Sequence, residues 1–142
     1  MLATTTAQRI GGLDLFSGCT RAQLDRIGSL TTQLTIPEGQ VLITEGDPGM
    51  EFIVILSGTA RVTRRTADGE TVVAEVGRGD FLGEMALLAK SRRTATVTAT
   101  SDLVVLVSSV GEFHSILEIA PSVARTVRQV SFARASGTVA AA

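Results

Sequence analysis

The chain has 142 residues, 44% of them hydrophobic, with 13 Lys and Arg against 14 Asp and Glu for a net charge of -1. That length suits one domain with a sizeable core, and the balanced charge leaves no basic field to hold a nucleic-acid backbone. The single cysteine, Cys19, excludes an internal disulfide framework, a four-thiolate zinc site and an iron-sulfur cluster held by one chain, and it fits a reduced cytoplasmic setting.

The opening MLATTTAQRIGG lacks a basic start followed by an apolar run, and no segment reaches the roughly 18 apolar residues of a membrane span. A soluble protein without a membrane span is expected. Residues 1–12 carry no periodicity and read as a flexible leader ahead of a domain over 13–134. In TRAQLDRIGSL, Thr20 and Gln23 have capping-box spacing and Leu24, Ile27 and Leu30 form an apolar stripe, which predicts a short helix.

From Gln33 to Ser109 the pattern changes to period two. QLTI, VLIT, FIVIL, TARVTRRT, TVVAEV, TATVTAT and LVVLVS are short and β-rich, and PEG, GDPG, SG, ADGE, GRGD and SD separate them. The spacing predicts a mainly β fold, an antiparallel eight-stranded β-roll of the jelly-roll kind. The clearest hairpin joins TARVTRRT to TVVAEV at Asp68-Gly69, a dipeptide suited to the positive φ of a tight turn. GEMALLA, residues 83–89, interrupts the strands with strong helix formers too few to be stable alone, so one helical turn is wedged into the roll. Two C-terminal helices follow. VGEFHSILEIA carries Phe113, Ile116, Leu117 and Ala120 at helical spacing, and PSVARTVRQVSFAR starts on a Pro suited to a first turn, with Val123, Val127 and Val130 on one stripe. Residues 135–142 read as a flexible tail.

The chemistry concentrates in GDFLGEMALLAKSRRTATVTA, Gly79 to Ala99. A helical turn entered through Gly83 presents unpaired N–H groups to an anion. Glu84 repels phosphate but accepts from hydroxyls, so the pair suits a phosphate attached to a sugar. In RRTATVTAT, Arg93 alternates with Ala95, Val97 and Ala99, whereas Arg92 shares the face of Thr94 and Thr96. Arg93 is therefore the inward arginine and needs a buried anionic partner, either Glu84 or a ligand. Arg92 is a solvated rim residue. On residue types alone, an Arg93–Glu84 pair that merely closes the roll explains the pattern as well as a ligand does.

This stretch resembles the phosphate-binding cassette of cyclic nucleotide-binding domains, which reads F-G-E-(L/I/M)-A-L-L, a short gap, then R-(A/S/T)-A-T-V. Upstream, EGDPGMEFIVILSGTARV resembles the family's G-D-x-x-x-x-(F/Y) segment, and the likeness runs from roughly Leu34 to Phe113. The resemblance implies that Arg93 grips the exocyclic phosphate, with backbone amides near Met85, Ala86 and Ala95 completing the anion site. It implies that Glu84 accepts from the ribose 2'-hydroxyl while Gly83 lets the sugar approach the main chain. Gly46 and Gly58 match turn glycines, and Val62 and Val73 fall where the family lines the base pocket. Thr94 follows the arginine where many cAMP-selective members carry Ala, which opens cGMP beside cAMP as the ligand. The family signals by re-docking its C-terminal helices, and Phe132 is the one residue placed to cap a base.

The resemblance implies a non-catalytic cyclic nucleotide sensor, with cAMP or cGMP as ligand and no other cofactor. It leaves room for an effector domain, a protein partner or a homodimer, and no direct contact with nucleic acid is expected. A degenerate roll acting as an interaction scaffold is the alternative. An enzyme finds little support, since the lone His114 lies in an apolar helix with no metal spacing and no nucleophile beside a base.

Overall fold

A computed structural model describes residues 5–135. Eight antiparallel strands form two four-stranded sheets: β1 (Thr32–Ile36), β2 (Val41–Ile43), β3 (Glu51–Ser57), β4 (Ala60–Thr66), β5 (Gly69–Val76), β6 (Phe81–Leu82), β7 (Thr96–Ala99) and β8 (Leu103–Ser109). The first sheet has the order β1-β8-β3-β6 and the second β2-β7-β4-β5. This is the β-roll expected from the spacing of the strands.

Two apolar layers result. Between the sheets lie Ile53 and Ile55 of β3, Val62 of β4, Leu82, Ala95, Val97 of β7, and Leu103 and Val105 of β8. On the other side of β3, Phe52, Val54 and Leu56 pack with Phe81, Leu106 and the helices. FIVIL is thus buried on both faces, which is why it reads as a continuous apolar run rather than an alternation.

The helices close the outer layer. Helix α2 (Arg21–Ser29) has the Thr20–Gln23 capping box read from the sequence and buries Ile27. Helix α4 (Val110–Ile119) is capped reciprocally by Ser109 and Glu112 and buries Phe113 and Ile116. The ring of Phe113 lies 4.6 Å from that of Phe52. Helix α5 (Pro121–Ala135) begins on the proline and buries Val123 and Val127. Between β6 and β7 sits the six-residue helix α3 (Glu84–Ala89), the wedged turn that the sequence predicts.

Three details differ from the sequence reading. Within the segment read as a leader, Thr6–Ile10 forms helix α1, held by a Thr5–Gln8 capping box and by burial of Ala7 and Ile10. The β4–β5 turn is centred on Ala67 and Asp68 because Thr66 pairs with Gly69, and Gly69 alone carries the positive φ, 105°. Strand β6 has only two residues, too few for a period to show. The tail read over 135–142 lies outside the described residues apart from Ala135, the last residue of α5.

Replacing Phe113 by Ala removes a fully buried ring from the layer joining β3 to the helices. Unfolding in urea is expected to show a loss of about 3–5 kcal/mol.

Candidate ligand-binding site

Gly83 is the N-cap of α3 at φ 90°, a left-handed conformation that favours glycine. A Cβ there would collide with the Arg93 guanidinium and lie 2.7 Å from the Glu51 carbonyl oxygen. The glycine thereby lets three chain segments meet. The return from the cassette is tied down as well: Arg93 N–H donates to Asp47 O at 2.8 Å, and Gly46 N–H donates to Arg93 O at 2.9 Å. Arg92 spans the same junction from outside, donating to Gly46 O at 2.9 Å.

Arg93 points inward and is 5% exposed. Its Nη1 donates to Gly83 O at 3.1 Å and its Nη2 to Glu51 O at 2.8 Å. The Glu51 carboxylate lies 3.5 Å from Nη2 and is itself half exposed. Burial pushes the guanidinium pKa below its ordinary value, and the Glu51 charge opposes that shift. The arginine still carries its charge at neutral pH.

Glu84, the first residue of α3, is completely buried. One carboxylate oxygen accepts from Met85 N–H at 2.8 Å. The other pairs with Arg134 near the end of α5. Arg134 also donates to Phe81 O at 2.9 Å, and its guanidinium lies 5.2 Å from the centre of the Phe81 ring. Burial lowers the pKa of Arg134, with the charge of Asp80 opposing.

Glu84 as the partner of Arg93 is therefore corrected. The carboxylate beside Arg93 is Glu51, and Glu84 belongs to Arg134. Sequence reasoning missed Arg134, and the signal was present: a carboxylate placed in an apolar layer needs a cation, and α5 is the helix that brings arginines to that layer.

The remaining predicted residues divide. Ala95 and Val62 are buried between the sheets, and Ala86 is buried in α3 beside Met85. The Thr94 hydroxyl oxygen is buried without a hydrogen-bond partner among the described residues. Val73 is less enclosed: Val62 pairs with Ala74 and Thr63 with Val72, so Val73 is the extra residue of a bulge and is 37% exposed. Phe132 is 75% exposed on α5. His114 lies exposed on α4, and among the described residues no group of His, Cys, Asp and Glu is placed to hold a metal.

An inward arginine, a buried carboxylate and a glycine-entered helical turn thus converge where α3 meets β3 and α5. The chain belongs to the cyclic nucleotide-binding domain family, whose profile matches residues 33–119. It is 35% identical over 127 residues to the acetyltransferase Pat of Mycolicibacterium smegmatis, covering 89% of this chain and 38% of Pat. The catabolite activator protein of Thermus thermophilus superposes with a TM-score of 0.79 at 26% identity over 87% of this chain and 59% of its own. A regulatory subunit of a cAMP-independent protein kinase A from Trypanosoma brucei reaches 0.81 at 25% identity, over 94% of this chain and 50% of its own. The chain spans well under half the length of the curated relatives it matches, 38% of Pat and 35% of a cyclic nucleotide-gated potassium channel of Rhizobium etli.

Gly83→Ala is expected to cost about 1–3 kcal/mol from the left-handed backbone alone, with the displaced Arg93 adding to it. Thermal unfolding should show the loss, whereas Gly111→Ala, with open space around its Cβ, should not.

Proposed function

We propose that this chain is a non-catalytic sensor of cAMP or cGMP that reports binding through its C-terminal helix. The observation that carries the proposal is the buried fork of Arg93, held by two carbonyl oxygens and a half-exposed carboxylate. None of these is a full buried counter-charge, and a cyclic phosphate supplies one in the bidentate geometry that a guanidinium favours. Gly83, Met85, Ala86 and Ala95 would frame the phosphate and sugar, with Thr94 beside them and Val62 and Val73 toward the base.

Glu84 gives the sensor its output. Its carboxylate is the group suited to a ribose 2'-hydroxyl, and in this structure Arg134 engages it. A ligand hydroxyl and the α5 guanidinium therefore draw on the same carboxylate. A ligand that binds better when Arg134 is displaced shifts the population of docked α5, and coupling of this kind is typically worth 1–3 kcal/mol. The cassette and α5 together make the allosteric element, and an effector domain, a protein partner or a second copy of the chain would read it. No metal or further cofactor enters this reading, and a cytoplasmic location is part of it.

One observation favours a second reading. Both Arg93 and Glu84 already have protein partners, as a self-satisfied roll serving only as a scaffold would require. Amide spectra unchanged by millimolar cAMP and cGMP would support the scaffold and overturn the sensor.

Two variants probe the sensor by calorimetry. Arg93→Leu should weaken nucleotide binding by about 2–5 kcal/mol, the usual cost of truncating one partner of a buried charge pair; unchanged affinity counts against the assignment. Arg134→Met should tighten binding by roughly 5- to 150-fold, the range of such couplings. A 2'-deoxy nucleotide should not share that gain, because it lacks the hydroxyl that competes for Glu84.

A further inference from the structure

The segment TEGDPGM joins β2 to β3, and its glutamate, the half-buried Glu45, has no part in the site described so far. Strand β4 runs to Thr66, but its pairing with β7 ends at Thr63 and Thr96. The reason is that β7 begins at Thr96, while the chain before it is bonded to Asp47 instead. Beyond Thr63, β4 thus has no strand on its β7 side. Glu45 takes the place of one: its Oε2 accepts from Arg65 N–H at 3.0 Å. Its own N–H donates to Thr96 Oγ1 at 3.0 Å. A side chain thereby supplies the acceptor that a continued ladder would have offered.

Strand β2 alone holds this turn weakly. It has three residues, and its register against β7 shifts between Val41 and Ile43. Gly46 follows at φ 89°, the left-handed region that glycine enters freely. Asp47 N–H closes the turn on Thr44 O at 3.1 Å, and Arg92 reaches it from the cassette side. Neither bond fastens the turn to β4 or β7, and Glu45 does. The next two residues carry the main chain of Arg93, through Gly46 N–H to Arg93 O and Arg93 N–H to Asp47 O. Glu45, Gly46 and Asp47 therefore tie the β4–β5 hairpin, the start of β7 and the backbone of Arg93 to one turn.

We propose that Glu45 is a positioning residue for ligand binding, which fixes the turn that holds the Arg93 main chain and so sets where the guanidinium fork meets an anion. A bidentate contact depends on that placement, since both N–H groups must align at once. This role rests on the sensor reading above and deepens it by naming what holds the phosphate-gripping arginine in register.

Glu45 lies outside both apolar layers, so its variants should fold, and circular dichroism checks that they do. In calorimetry on the full chain, Glu45→Ala should weaken cAMP or cGMP, whichever binds, by roughly 3- to 30-fold, within the range for residues sharing one hydrogen-bond network. Glu45→Gln, whose amide oxygen can accept the same bond, should restore the affinity. In an Arg93→Lys background, which keeps the charge but lacks the fork, Glu45→Ala should cost less than about 2-fold. General loosening of the roll would not spare that background. Without ligand, hydrogen exchange at the Arg65 and Arg93 amides should quicken in Glu45→Ala and not in Glu45→Gln. Unchanged affinity in Glu45→Ala, an equal loss in both backgrounds, a Gln variant as weak as the Ala one, or an Arg93 amide still protected in Glu45→Ala overturns the role of Glu45 while the sensor stands. A wild-type chain that binds neither nucleotide overturns both.

Discussion

A carboxylate with no access to water at the first residue of a six-residue helix is the constraint around which the site is arranged. Glu84 must be neutralised where it stands, and the cation comes from the far end of the chain, 50 residues away. Removing one partner from such a pair is far more costly than never having built it. The cassette helix, too short to hold itself, and the last turns of α5 therefore hold each other. The pairing also explains the place of Phe81, whose carbonyl and ring both meet the Arg134 guanidinium.

The same economy governs the interior arginines. Arg93 and Arg134 each enter an apolar layer carrying a full charge, and each is met by backbone carbonyls and a carboxylate. The sheets supply the rigidity that this requires. Gly83 and the turn of Gly46 and Asp47 fix the main chain on either side of Arg93, so the guanidinium is held by geometry rather than by its own flexible stem.

Local physics made much of this legible from sequence. The capping box at Thr20 and the proline at the start of α5 are short-range signals, and the structure carries both of them. The alternation after Arg93 placed its side chain correctly, because β7 is regular. What escaped was long-range or too brief. Nothing near Glu84 in sequence announces Arg134, β6 has two residues and hence no period, and α1 is a single capped turn whose stability comes from burying Ile10 against α2 and the core. Val73 escaped for a third reason, since one extra residue in β5 breaks the alternation that would assign its face.

The pairing order of the strands has a consequence for how the molecule comes into being. β1 finds its partner in β8, β2 in β7, and β3 in β8 as well, so both sheets close over most of the length of the roll. Of the strands before residue 96, only the β4–β5 hairpin and the short β3–β6 contact can pair without waiting for later chain. Topology of this kind folds slowly, since distant segments must meet before any of them is rewarded. During synthesis the apolar run of β3 stays uncovered until β8 has emerged, and Glu84 gains its cation only when α5 follows. The residue that ties the roll to its last helix is thus also the last to be satisfied as the chain takes shape.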